Sequence, residues 1–130
     1  MKKQLFWVIT GCLFTLVACK KVEGQGGTSS ISGRVYIQEY DAFGEISQEY
    51  YAADERVFII YGEADNIYDD DFRTSFDGSF KFDFLTKGSY KIFVYEDCLS
   101  CPSGEQTVIE EITISSNKSS IVLPDIVIRK

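Results

Sequence analysis

The sequence predicts an all-β fold, a Greek-key β-sandwich of about seven strands. Three observations carry that expectation. Between residues 31 and 128, short runs alternate apolar and polar side chains with a period of two. Gly, Asp, Asn, Ser and Pro interrupt these runs at the intervals typical of sandwich turns. No helix-length segment repeats its apolar residues every 3.6 positions.

The first element is not part of the sandwich. Lys2 and Lys3 precede an apolar run from Leu5 to Ala18, which Lys20 and Lys21 close before it reaches membrane-spanning length. Residues 1–18 have the layout of a secretory signal peptide. Leu16, Val17, Ala18 and Cys19 resemble the lipobox of bacterial lipoproteins. That resemblance implies cleavage before Cys19, a diacylglycerol on its thiol and an acylated amine. Each buried methylene adds about 0.8 kcal/mol, and more than one chain makes anchoring stable. The expected first partner is therefore a membrane, held through lipid on Cys19. Lys20 stands where an aspartate would resemble an inner-membrane retention signal, so the outer membrane of the cell envelope is the expected location, with its side left open.

Residues 19–30 read as the lipidated cysteine and a tether, because Glu23 to Ser30 (EGQGGTSS) is rich in Gly and Ser. The domain is expected over 31–130. In its first strand Ile31, Gly33, Val35 and Ile37 share one face, and Ser32, Arg34, Tyr36 and Gln38 the other. A long polar loop from Tyr40 to Glu55 follows. The run from Val57 to Tyr61 (VFIIY) is apolar on both faces, which places it centrally. Asp77 and Gly78 supply a hairpin turn between FRTSF and SFKFDF. Phe80, Phe82 and Phe84 are expected inside. After the turn at TKGS, Tyr90, Ile92 and Val94 alternate with Lys91, Phe93 and Tyr95. The last runs are Thr107 to Ile114 and Ile121 to Ile128. Pro124 offers no donor to a ladder, so the final strand should be an edge or carry a bulge.

Within these strands, Thr74, Gly78, Phe80, Phe82, Leu85, Gly88, Tyr90 and Ile92 form a pattern that resembles the hallmark of carboxypeptidase regulatory-like domains. These are prealbumin-like (transthyretin-like) β-sandwiches. Ile31 to Val35 is similar to the first strand of that family, and the likeness covers roughly residues 31–128. Ser75, where family members often have aspartate, and the insertion from Tyr40 to Glu55 depart from it. The resemblance implies a non-catalytic accessory module. A prealbumin-like relative that hydrolyses 5-hydroxyisourate relies on histidines, and this chain has none.

Composition narrows the function further. Loss of residues 1–18, which hold two lysines and no acid, takes the formal net charge from −7 to −9. Nucleic acid is therefore not an expected partner. The absence of histidine removes the commonest general base and metal ligand. Glu110 and Glu111 are a carboxylate pair, but adjacent strand residues face opposite ways and cannot converge. No enzyme activity and no cofactor are expected.

Three groups remain as candidate sites. Cys98 and Cys101 (EDCLSCPSG) lack the following helix that activates a redox pair. They also lack the further ligands of a zinc site, since Cys12 leaves with the signal and Cys19 carries lipid. A local disulfide pinning a loop is the expected reading, contributing roughly 2 kcal/mol. Asp69, Asp70 and Asp71, in the run EADNIYDDD, are weak calcium candidates, because the spacing is not that of an EF-hand; a solvated loop is expected. Tyr40, Tyr50 and Tyr51 are possible ligand contacts in the long loop, able to stack on sugar or seat an envelope protein. Outward aromatics such as Tyr36, Phe93 and Tyr95 more often pack on neighbouring strands. The expected function is a lipid-anchored binding or scaffolding module, with a carbohydrate-contacting lipoprotein as the alternative.

Overall fold

The computed structural model describes residues 22–63 and 67–130. Cys12, the signal segment, Cys19 and Asp65 lie outside the described residues. Nine strands form among those described: β1 (Gln25–Tyr40), β2 (Ile46–Tyr51), β3 (Arg56–Tyr61), β4 (Asp70–Arg73), β5 (Ser79–Leu85), β6 (Gly88–Asp97), β7 (Glu105–Ile114), β8 (Ser120–Val122) and β9 (Ile126–Arg129). They make two sheets. In the first, β1 is the spine, with β2 and β5 antiparallel to it and β8 and β9 parallel to it. The second runs β4-β3-β6-β7 and is antiparallel throughout. The two packed sheets are the expected all-β sandwich.

Alternation explains the packing. Ile31, Val35 and Ile37 of β1 and Ile126 and Ile128 of β9 face Val57 and Ile59 of β3 and Tyr90, Ile92 and Val94 of β6, all buried in one core. Burying each such side chain contributes about 1.5–3 kcal/mol. The central position expected for VFIIY holds, and Phe58 and Ile60 on its other face pack with Phe93 in a second, smaller cluster.

Five expectations change. The long loop contains β2, which raises the strand count, and Tyr50 and Tyr51 sit on that strand instead of in a loop. The last run breaks into β8 and β9 around Pro124. Both pieces pair only with β1 among the described strands, so each is an edge, and Pro124 itself sits between the ladders where it needs no donor.

The tether is shorter than its composition suggests, because β1 begins at Gln25. Ser29 is buried, and Gly27 lies against the backbone of Leu85, where only a residue without a side chain fits. Gly24 donates its amide to the buried Tyr90 hydroxyl at 3.0 Å, and its carbonyl accepts the Thr86 amide at 2.9 Å.

The Asp77–Gly78 turn exists, closed by the Gly78 amide on the Ser75 carbonyl at 2.9 Å, but it is not a hairpin. It carries the chain from β4 in one sheet to β5 in the other, and Phe72 meets Phe82 edge-on at 6.3 Å. Local turn chemistry could not distinguish a hairpin from a sheet-to-sheet crossover.

Phe84 points outward, 72% exposed, with φ at +59°. The left-handed residue breaks the alternation where Gln25 and Ser29 of β1 both pair with Leu85, so Leu85 takes the inward place.

Candidate functional site

The ten-residue ladder of β6 and β7, from Gly88 opposite Ile114 to Asp97 opposite Glu105, ends in the loop that holds both cysteines. Cys98 and Cys101 are joined by a disulfide, with their Cα atoms 5.3 Å apart. The Cys98 amide donates to the Gly104 carbonyl at 2.9 Å, and the Gly104 amide to the Cys101 carbonyl at 3.0 Å. The bridge therefore closes a loop already held by backbone hydrogen bonds, as the sequence reading expected of a structural staple.

Tyr36 and Tyr51 occupy the outward face of the β1–β2 pair. Tyr36 lies opposite Tyr51, and their rings meet edge-on at 5.1 Å. The Arg34 guanidinium sits 5.0 Å from the Tyr51 ring centroid, and the Tyr51 hydroxyl donates to Asp125 at 2.9 Å. Next along the face, Gln38 donates to Glu49 at 2.9 Å, and Arg129 of β9 lies 5.4 Å from the Tyr40 ring. Tyr50 projects from the opposite side of β2, where its bond to the Glu39 carboxylate pushes its phenol above the usual value. Aromatic planes bordered by amide, carboxylate and guanidinium groups suit a ligand with both apolar faces and hydroxyls.

Among the described residues, the acidic run does not bring three metal ligands together. Asp71 is tied to Arg56 through Nε at 2.9 Å and a second guanidinium nitrogen at 3.2 Å, and this pairing holds its carboxyl below the usual range. Asp69 accepts the Tyr61 amide at 2.7 Å, and Asp70 accepts the Asp71 amide at 2.8 Å. Asp70 and Asp71 belong to β4 and not to a loop. Among the described residues no three potential metal-ligating side chains converge. Asp69, Asp70 and Asp71 each already accept a hydrogen bond within the protein.

A cleft that sequence reasoning missed opens at the end of the sandwich where β1, β6, β7 and β9 terminate. It measures about 760 Å³ and lies between the β1–β2 turn and the disulfide loop. Tyr40, Asp97, Gln106 and Arg129 line it, with Phe43 on one lip and Leu99 on the other. Phe43 is 91% exposed and Leu99 fully so. Its polar side rests on Glu96, which is only 9% exposed. One Glu96 oxygen accepts the Gln106 side-chain amide at 2.6 Å and the other the Arg129 backbone amide at 3.1 Å, linking β6, β7 and β9. The alternation Tyr90, Ile92, Val94 carries on to Glu96, so a buried carboxylate was legible there. Phe43 and Leu99 had a weaker signal, each an apolar residue inside a run of turn formers.

Two further features stand elsewhere. On the outer face of the second sheet Phe58 and Phe93 stack at 4.9 Å, flanked by Tyr68 and Tyr95. Glu110 and Glu111 lie opposite Ile92 and Lys91 on β7, on its two faces.

Neither a protein-family model nor a curated protein sequence matches the chain. Among solved structures, a candidate carbohydrate binding protein from Pseudomonas aeruginosa is similar in fold. The TM-score is 0.51 at 16% sequence identity, over 83% of this chain and 92% of that one. At that identity the likeness speaks to the β-sandwich alone.

Proposed function

We propose that this chain is a lipid-anchored envelope protein whose β-sandwich, of carboxypeptidase regulatory-like type, is a non-catalytic binding module for glycan. The observation that carries the reading is the outward face of β1 and β2, where tyrosine rings stand among planar hydrogen-bonding side chains. Sugars present apolar C–H faces and rings of hydroxyls, and such a surface matches both. The solved structure of similar fold, a candidate carbohydrate binding protein, supports the same ligand class.

The anchor belongs to this reading through Cys19 and the signal segment before it. Lys20 to Glu23 are the only residues between Cys19 and Gly24, where the fold begins. At most about 3.6 Å per residue, they allow roughly 18 Å between lipid and domain. β1 then runs away from that end to Tyr40. The tyrosines beyond Tyr36 and the end cleft sit at its far end, turned away from the bilayer and open to ligand.

Membrane fractionation tests the anchor. Wild-type protein should partition with membranes and take up labelled palmitate, and Cys19→Ala should do neither. A glycan array tests the ligand class: binding should weaken when Tyr51 is changed to Ala, and an array without binding would reject glycan. A protein partner is the second reading, favoured by the Phe58, Phe93, Tyr68 and Tyr95 cluster, and crosslinking in the envelope would reveal it.

A further inference from the structure

We infer that the cleft between the β1–β2 turn and the disulfide-closed β6–β7 loop is the principal glycan subsite, taking the end of an oligosaccharide. The inference rests on the glycan reading above and moves the principal contact from the sheet face to the end cleft. Its volume, about 760 Å³, falls within the range of small-ligand pockets. Its walls and floor differ in chemistry. Tyr40, Phe43 and Leu99 offer apolar surface, while Asp97, Gln106 and Arg129 offer donors and acceptors. A purely apolar ligand would leave these polar groups desolvated and unpaired, which is costly. A sugar end can satisfy both sets.

The cleft is also built in advance. Glu96, buried beneath it, fixes the Gln106 amide and the end of β9 through its two oxygens. The Cys98–Cys101 bridge closes one lip, and the Asp41 carboxylate closes the other by accepting the Phe43 and Glu45 amides at 2.8 and 3.0 Å. Groups that are held before binding lose little freedom on binding, so affinity is not spent on ordering. Phe43 and Leu99 have no folding role visible in the structure, because both side chains stand in solvent. Their place at the two lips fits contact with the next sugar unit along the chain. The Arg129 guanidinium, stacked at 5.4 Å from Tyr40, leaves its N–H edge for ligand oxygens.

The test uses the full chain against a panel of peptidoglycan, β-glucan and uronate oligosaccharides, with affinities measured by calorimetry. Phe43→Ala and Gln106→Ala should each lower affinity about tenfold, the scale of one lost contact or hydrogen bond in a preformed site. Tyr51→Ala, which removes a ring from the sheet face, should lower it clearly less than either cleft variant. Because Phe43 is exposed, its variant should melt with the wild type, which separates lost binding from lost folding. If the panel binds and the sheet-face variant loses affinity while both cleft variants do not, the cleft is overturned and the glycan reading stands. If no panel member binds, both are overturned.

Discussion

Replacing Gly27 with alanine distinguishes a tether from a strand by the response to a single methyl group. In a flexible Gly-Ser linker, the substitution changes folding stability very little, since the segment is equally free in both states. In the folded structure a Cβ on Gly27 would lie 2.0 Å from the Leu85 carbonyl oxygen, 2.4 Å from its carbon and 2.6 Å from the Thr86 Cα. All three are backbone atoms, so no rotamer change relieves the overlap. Ordinary contact begins near 3.4 Å, and β1 must therefore move off β5 by about 1.4 Å. That displacement falls where Gln25 and Ser29 both pair with Leu85, and it pulls on the bonds from Gly24 to Tyr90 and Thr86. Overpacking costs about 1–3 kcal/mol, and the upper end is expected when backbone must yield. At about 4–5 °C per kcal/mol for a domain of this size, the melting midpoint should fall by roughly 12–15 °C. Thermal melting by circular dichroism and a urea titration with unchanged slope would measure it. A midpoint within about 2 °C of wild type would refute the assignment of residues 25–30 to β1.

Phe84 has a left-handed backbone and a ring mostly in water, so Phe84→Asn should raise stability by about 0.5–1 kcal/mol, read from the denaturant midpoint; a loss would show that the ring carries packing. The Asp71 carboxyl is held below its usual value by the hydrogen bonds from Arg56, and that of Asp77 by the Ser79 hydroxyl. A depressed folded pKa gives stability that is present above the unfolded value and is lost as pH falls through the folded one, below about pH 4. Melting temperatures from pH 7 down to pH 2 should fall less steeply for Asp71→Asn than for wild type, and parallel curves would contradict this. Mass spectrometry of mature protein alkylated without reduction should find neither Cys98 nor Cys101 labelled. Changing both to Ser should cost no more than about 2 kcal/mol, because the closed loop is so short.

Much of the fold was legible from residue order. Period-two alternation named the inward residues of β1 and β6 correctly, and the double-sided apolarity of Val57 to Tyr61 marked a strand buried on both sides. Failures came where a residue's partner is distant in sequence. β2 has both faces in water, so its side chains carry no alternation and only its pairing with β1 makes it a strand. Phe84 obeyed the pattern until a bulge, set by the pairing of β5 with β1, reversed it. Asp77 and Gly78 specify a turn from four local residues, whereas the sheets that the two arms join are decided by β3 and β1.

The candidate site divides in the same way. Cys98 and Cys101 were readable as a pair because a disulfide across three residues is a local event, and Tyr36 was readable as outward because its position follows from alternation, whereas Tyr50 and Tyr51 were expected in a loop and lie on β2. The cleft was not, since its walls come from residues near 40, 98, 106 and 129, which approach only when β1, β6, β7 and β9 end together. By itself, the sequence determined the all-β class, most of the core and the cysteine pair, each set by neighbours within a few residues. Tertiary structure alone decided where the strand pairing begins, which sheet each arm joins and what lines the end cleft. Those depend on contacts between distant segments, and no local pattern encodes them.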